Sequence, residues 1–172
     1  MRAAIALMIG VVCATVGAHA IAAESLPDAC GLLSRAEIEH AIGGPATGFD
    51  HATTFREGST SICQGSAGGA TVTVRVSIES EQDEENERTI RQMMRSSGGK
   101  VETERAGAVT CTTTIPPESM MQYGFDSMCR VSEGGREAAV QASTRERKNM
   151  VPVADLRRLV ILAGNRLSVG GH

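Results

Sequence analysis

Four cysteines constrain this chain more than any other feature, and they become four only after an apolar leader is set aside. Arg2 is followed by Ala3 to Ala23 without a charged side chain, with an apolar run from Ile5 to Val16. Ala18-His19-Ala20 then offers an A-x-A cleavage signal, with further registers at Ala20-Ile21-Ala22 and Ile21-Ala22-Ala23. Residues 1–23 therefore read as a signal peptide and residues 24–172 as one mature domain, exported to the periplasm or secreted, with no membrane span after cleavage. A retained anchor is the weaker reading, because Ala, Gly and Thr dilute the apolar run. Cys13 leaves with the leader; Val12 precedes it, where a lipidated cysteine needs a small residue. Cys30, Cys63, Cys111 and Cys129 remain, and an oxidising compartment favours two disulfides. Three pairings exist in principle. Cys30–Cys63 with Cys111–Cys129 is favoured, since each bridge then brackets a continuous segment. Without a C-x-x-C pair, a zinc site is the poorer use of these thiols.

Hydrophobic patterning supplies the elements. Ser34 and Glu37 have capping-box spacing, and Leu33 with Ile38 forms a hydrophobic staple, so a helix is predicted over 35–42 and ends at Gly43-Gly44-Pro45. A linker over 43–60 precedes a short strand at Ser61–Gln64. Thr71–Glu79 alternates Val72, Val74, Val76 and Ile78 with polar residues, the pattern of a half-buried strand. Gly65-Ser66-Ala67-Gly68-Gly69 between these strands reads as a hairpin turn. A helix over Gln82–Ser97 places Ile90, Met93 and Met94 on its apolar side. Strands are predicted at Val101–Arg105, Ala108–Ile115, Ser127–Ser132 and Glu137–Thr144. A closing helix over Val153–Leu167 carries Leu156, Leu159, Val160, Ala163 and Leu167 on one stripe. The fold class expected is α+β, an antiparallel sheet of about five to six strands with helices packed on it, in the order α-β-β-α-β-β-β-α.

The run Asp28-Ala29-Cys30-Gly31-Leu32-Leu33, then Glu37, a helix ending at Gly43, Cys63 before an alternating strand, and the Leu156–Leu167 helix resembles small secreted domains of unknown function common among actinobacterial lipoproteins. That resemblance implies a PsbP-like layered fold over most of the mature chain and supplies no catalytic residue. The chain departs from those proteins in lacking a lipobox and the aromatic often found after the second cysteine.

Charge and aromatics narrow the function. Seventeen basic against 20 acidic side chains leave no basic footprint, and only Phe49, Phe55, Tyr123 and Phe125 are aromatic, so nucleic-acid binding is not expected. No phosphate loop, G-x-S-x-G elbow, H-E-x-x-H or dinucleotide fingerprint is present, so neither catalysis nor a cofactor is expected. The one enzyme arrangement worth stating uses His40 or His51 with Asp50 or Glu57. The acidic stretch Glu79–Glu87 complements a helix N-terminus and lacks a calcium loop's ligand pattern. Met120, Met121 and Met128 suggest the alternative of a soft-metal (copper) carrier, while Met93 and Met94 are expected in the core. All four aromatics fall in the two connections that the favoured disulfides bracket. These rings either fold down as plugs over the ends of an aliphatic core or present an apolar recognition surface. On the second reading the expected function is a non-catalytic binding or accessory protein that recognises an envelope protein or an apolar small molecule through Phe49, Phe55, Met120, Met121, Tyr123 and Phe125.

Overall fold

In the computed structural model, which describes residues 26–55 and 58–169, the capping box of Ser34 and Glu37 is complete. Glu37 N–H donates to Ser34 Oγ at 3.3 Å, and Ser34 N–H donates to Glu37 Oε2 at 2.8 Å. The capped helix, α2, spans Arg35–Ile42 as predicted and stops at Gly43, whose left-handed φ of 79° lets its N–H reach Glu39 O. A short helix α1, Ala29–Leu32, precedes it, capped by the Asp28 carboxylate. The signal peptide, residues 1–23, lies outside the described residues.

The sheet has seven antiparallel strands rather than five to six: β1 (Thr53–Phe55), β2 (Thr60–Ala67), β3 (Ala70–Ile78), β4 (Lys100–Ala106), β5 (Val109–Ile115), β6 (Phe125–Glu133) and β7 (Arg136–Thr144). Their spatial order is β1-β2-β3-β7-β6-β5-β4, so β1 and β4 form the two edges. Along the chain the order is α-α-β-β-β-α-β-β-β-β-α, not α-β-β-α-β-β-β-α: α1 and β1 are added, and four strands rather than three lie between the last two helices. β1 consists of three residues inside the predicted linker that pair with Thr60–Ile62. β2 also runs on through Gly65 to Ala67. The hairpin turn is therefore confined to Gly68-Gly69, whose φ values of 58° and 80° suit a two-residue turn. Helix α3 spans Glu81–Ser96 and α4 spans Val153–Val169.

One face of the sheet carries the core. Val72, Val74, Val76, Ala138, Val140, Ala142, Cys111 and Cys129 point to it, and α1, α2 and α4 cover it. The α4 stripe is buried as its spacing required: Leu156, Leu159, Val160, Ala163 and Leu167 are all inaccessible, and each large aliphatic side chain contributes roughly 1.5–3 kcal/mol of transfer free energy. Gly164 lets α4 approach β6 closely, since a Cβ there would lie 2.7 Å from Val131 Cγ1. Both disulfides lie in this layer. Cys30–Cys63 joins α1 to β2, and Cys111–Cys129 links directly opposed residues of β5 and β6, with Cα atoms 4.0 Å apart.

Arg166 of α4 ties the helical layer together. Its guanidinium donates to both Glu37 carboxylate oxygens at 2.6 and 2.8 Å and to Leu32 O at 2.6 Å. The Arg166 hydrogen bond, opposed by burial and aided by Ser34, holds the Glu37 carboxyl at about 2 instead of 4.5. A carboxyl with a depressed folded-state pKa stabilises the fold fully above pH 4.5, and that contribution is lost as pH falls towards 2. Both side chains reach solvent, so the pair is worth about 1 kcal/mol after screening. Urea unfolding should show Arg166→Gln less stable than the native chain by about 1–2 kcal/mol at pH 6, with the gap narrowing at pH 2.

The opposite face of the sheet is polar, and α3 lies over it, bonded through Glu87 to Arg130 of β6 at 2.9 Å. Ile90 and Met93, expected in the core, are more than half exposed, and Met94 is only half-buried. The face that α3 meets through Glu87 carries Arg130 with Arg75 and Thr110 in the same row, side chains that offer an apolar stripe little to bury against.

Candidate functional site

The β5–β6 connection concentrates most of the expected binding residues. After Pro116-Pro117 the chain makes a short 3₁₀ turn, Glu118–Tyr123, closed by Gly124 N–H donating to Met121 O at 3.0 Å. Gly124 has a φ of 79° and lies against the Thr144 carbonyl, so no side chain fits there. The Cys111–Cys129 bridge staples the two strands from which the loop springs. At its tip Tyr123 is 74% exposed and Met121 42%, whereas Met120 is half-buried. Phe125, expected in the loop, is the first residue of β6; it faces the core at 3% exposure and forms the floor of a groove of about 400 Å³. Ile115, Pro116, Glu118, Met121, Arg145 and Arg147 complete that groove.

The other two aromatics lie elsewhere. Phe49 packs on the core beside Gly65, where an added Cβ would come within 2.5 Å of its ring. Phe55 stands half-exposed on β1, five strand spacings or roughly 24 Å from β5. The six expected residues thus do not share one surface; Met121, Tyr123 and Phe125 do adjoin one another along the stapled loop. His40 and His51 are exposed, Asp50 is paired with Arg35 at 2.9 Å, and Glu57 lies outside the described residues. Among the described residues, no three His, Cys, Asp or Glu side chains converge as metal ligands. Met128 projects from the polar face of β6, on the strand face opposite to Phe125.

A second concavity, of about 670 Å³, opens between the start of α3 and the polar face of the sheet. Arg75 and Arg130 converge on Glu137 at 2.6 and 3.4 Å, and Arg130 also holds Glu87 at 2.9 Å, itself 3.8 Å from Arg91. Arg105 lies on the far side, donating through Nε to Thr110 Oγ1 at 3.3 Å. Glu87 is marked in the sequence only as part of the acidic stretch, and Arg75, Arg105, Arg130 and Glu137 do not stand out there. The one signal available was that charged residues recur at the solvent-facing positions of predicted strands; which of them meet depends on strand register.

Compared with protein-family models, curated proteins and solved structures, the chain matches none.

Proposed function

We propose that the protein is an exported, non-catalytic binding or accessory protein that docks an envelope protein through the stapled β5–β6 loop. The observation that carries this reading is Tyr123, 74% exposed on a turn that leads into buried Phe125 and springs from two strands bridged by Cys111–Cys129 three pairs below it. A large ring held out on a braced loop loses little freedom on binding, and tyrosine is among the residues that dominate interface energetics. Tyr123 projects from the surface and does not line an enclosing cavity, which suits insertion into a partner's pocket better than capture of a small apolar molecule. Arg145 and Arg147 outnumber Glu118 on the groove wall, which favours a partner segment with a carboxylate beside its apolar contact. Two disulfides are compatible with export, and the resemblance to small secreted lipoprotein domains points the same way.

A photo-crosslinking residue placed at position 123, and separately at position 55, tests the surface in the protein's own cell envelope. Position 123 is expected to trap one envelope protein that position 55 does not. Tyr123→Ala should then weaken the purified complex at least tenfold while leaving the thermal midpoint within about 1–2 °C. A Tyr123→Ala protein that loses stability but still binds its partner would show the ring to be a structural cover.

A further inference from the structure

The polar face of the sheet repeats a pattern across five strands. In one row of the register, Arg75 on β3, Ala139 on β7, Arg130 on β6, Thr110 on β5 and Arg105 on β4 stand side by side, arginines alternating with small residues. In the next row Glu137 of β7 sits between Ser77 and Ser132, and its carboxylate bridges the first two arginines. The second pair, Arg130 and Arg105, has no such bridge from the sheet. The residue continuing β5 opposite Ser132 is Ala108, which lines the cleft and supplies only a methyl group.

Hydrogen bonding points to room for a further acceptor. Arg75, Arg105 and Arg130 line the cleft with Glu79, Glu87 and Glu137; Glu87 and Glu137 are bonded to Arg130 and Arg75, and Glu79 lies at the exposed rim. Arg105 makes no ion pair with a described residue; its partner is the neutral Thr110 hydroxyl. Arg75 Nε is buried with no acceptor, so the network is short of acceptors and not of donors. A space of about 670 Å³ is ample for a small organic acid.

We propose that this cleft binds a small carboxylate, whose head group takes between Arg130 and Arg105 the place that Glu137 takes between Arg75 and Arg130. Arg105 is the principal anchor, with Thr110 and Ser132 offering hydroxyl donors below it. The Glu137 bridge fixes Arg130 in position and competes for its charge.

Succinate titrated into the full mature protein at low ionic strength, followed by calorimetry and by amide chemical shifts on β4–β6, tests the site, with inorganic phosphate as the second probe. Succinate is expected to bind, to weaken at least tenfold in Arg105→Glu, and to strengthen several-fold in Glu137→Gln, where two arginines lose their internal carboxylate. Arg105 is exposed on an edge strand, so its replacement leaves the fold intact. Tyr123→Ala should leave succinate affinity unchanged, which separates this site from the loop. Absence of succinate binding at millimolar concentration, indifference to Arg105→Glu, a Glu137→Gln protein that is less stable without binding better, or phosphate binding more tightly than succinate would each overturn the proposal.

Discussion

Gly65→Val is expected to leave little stable mature protein, at a cost of roughly 3 kcal/mol or more in chemical denaturation. The position is not one of unusual backbone conformation; it is one without room. Gly65 lies on the core-facing side of β2, and a Cβ there would strike the Phe49 ring at 2.5 Å and the Thr47 carbonyl more closely still. The ring is flexible, but the carbonyl is backbone. Thr47 exchanges two hydrogen bonds with Ser66, at 3.0 and 2.8 Å, and these hold the 43–52 connection onto the sheet. Making space for a side chain would therefore lift Phe49 and that connection together, uncovering the end of the core. Phe49→Ala combined with Gly65→Val should recover only part of the loss, because the carbonyl contact persists; full recovery would show that the ring alone sets the limit.

Removing the Cys30–Cys63 bridge by serine substitution should cost about 3–4 kcal/mol, the chain-entropy value for a loop with a sequence separation of 33. Beyond the bridge, α1 is bound to the sheet through Ala29 N–H donating to Ser61 Oγ at 3.0 Å and through its buried Ala29 and Leu32. Amide exchange should accordingly rise first in 29–42, where α1 and α2 share the layer that Arg166 fastens. Loss of Cys111–Cys129 should cost a similar amount globally and far less locally, since β5 and β6 stay paired over six positions. Hydrogen exchange on the two paired variants, read beside their denaturation midpoints, distinguishes these patterns. Equal protection of α1 and α2 in both would contradict the assignment.

How much of the molecule could be read in advance varied with the range of the interaction responsible. Ser34, Glu37 and Gly43 act within one turn of chain, and α2 forms at the predicted residues. The α4 stripe and the β3 alternation were legible for the same reason: a period of 3.6 or 2 is visible in a short window. Ile90, Met93 and Met94 show where that reasoning stops, because an amphipathic helix needs an apolar surface opposite it, and whether one exists depends on which face of a distant sheet it crosses. β1 was invisible because Thr53-Thr54-Phe55 carries no alternation and becomes a strand only by pairing with β2. The loop is placed correctly by the sequence, yet Phe125 falls in the strand after it, since nothing nearby signals that β6 begins with it. The charged cleft lay furthest out of reach. Arg75, Arg105 and Arg130 come from three strands, and their alignment is a property of register.

The two edges of the sheet carry a consequence for self-association. An open antiparallel sheet ends in two rows of unpaired backbone groups, each able to template a strand from another molecule. β4 lines its rim with Lys100, Glu102, Glu104 and Arg105, so a foreign strand laid there would have to accommodate charges of both signs at close quarters. β1 solves the same problem by brevity: three residues offer too few ladder positions to hold an added strand against its loss of freedom. Growth by sheet extension is thereby discouraged at both ends, and the exposed Phe55 on the short edge marks the place where lengthening β1 would open the sheet to fibril formation.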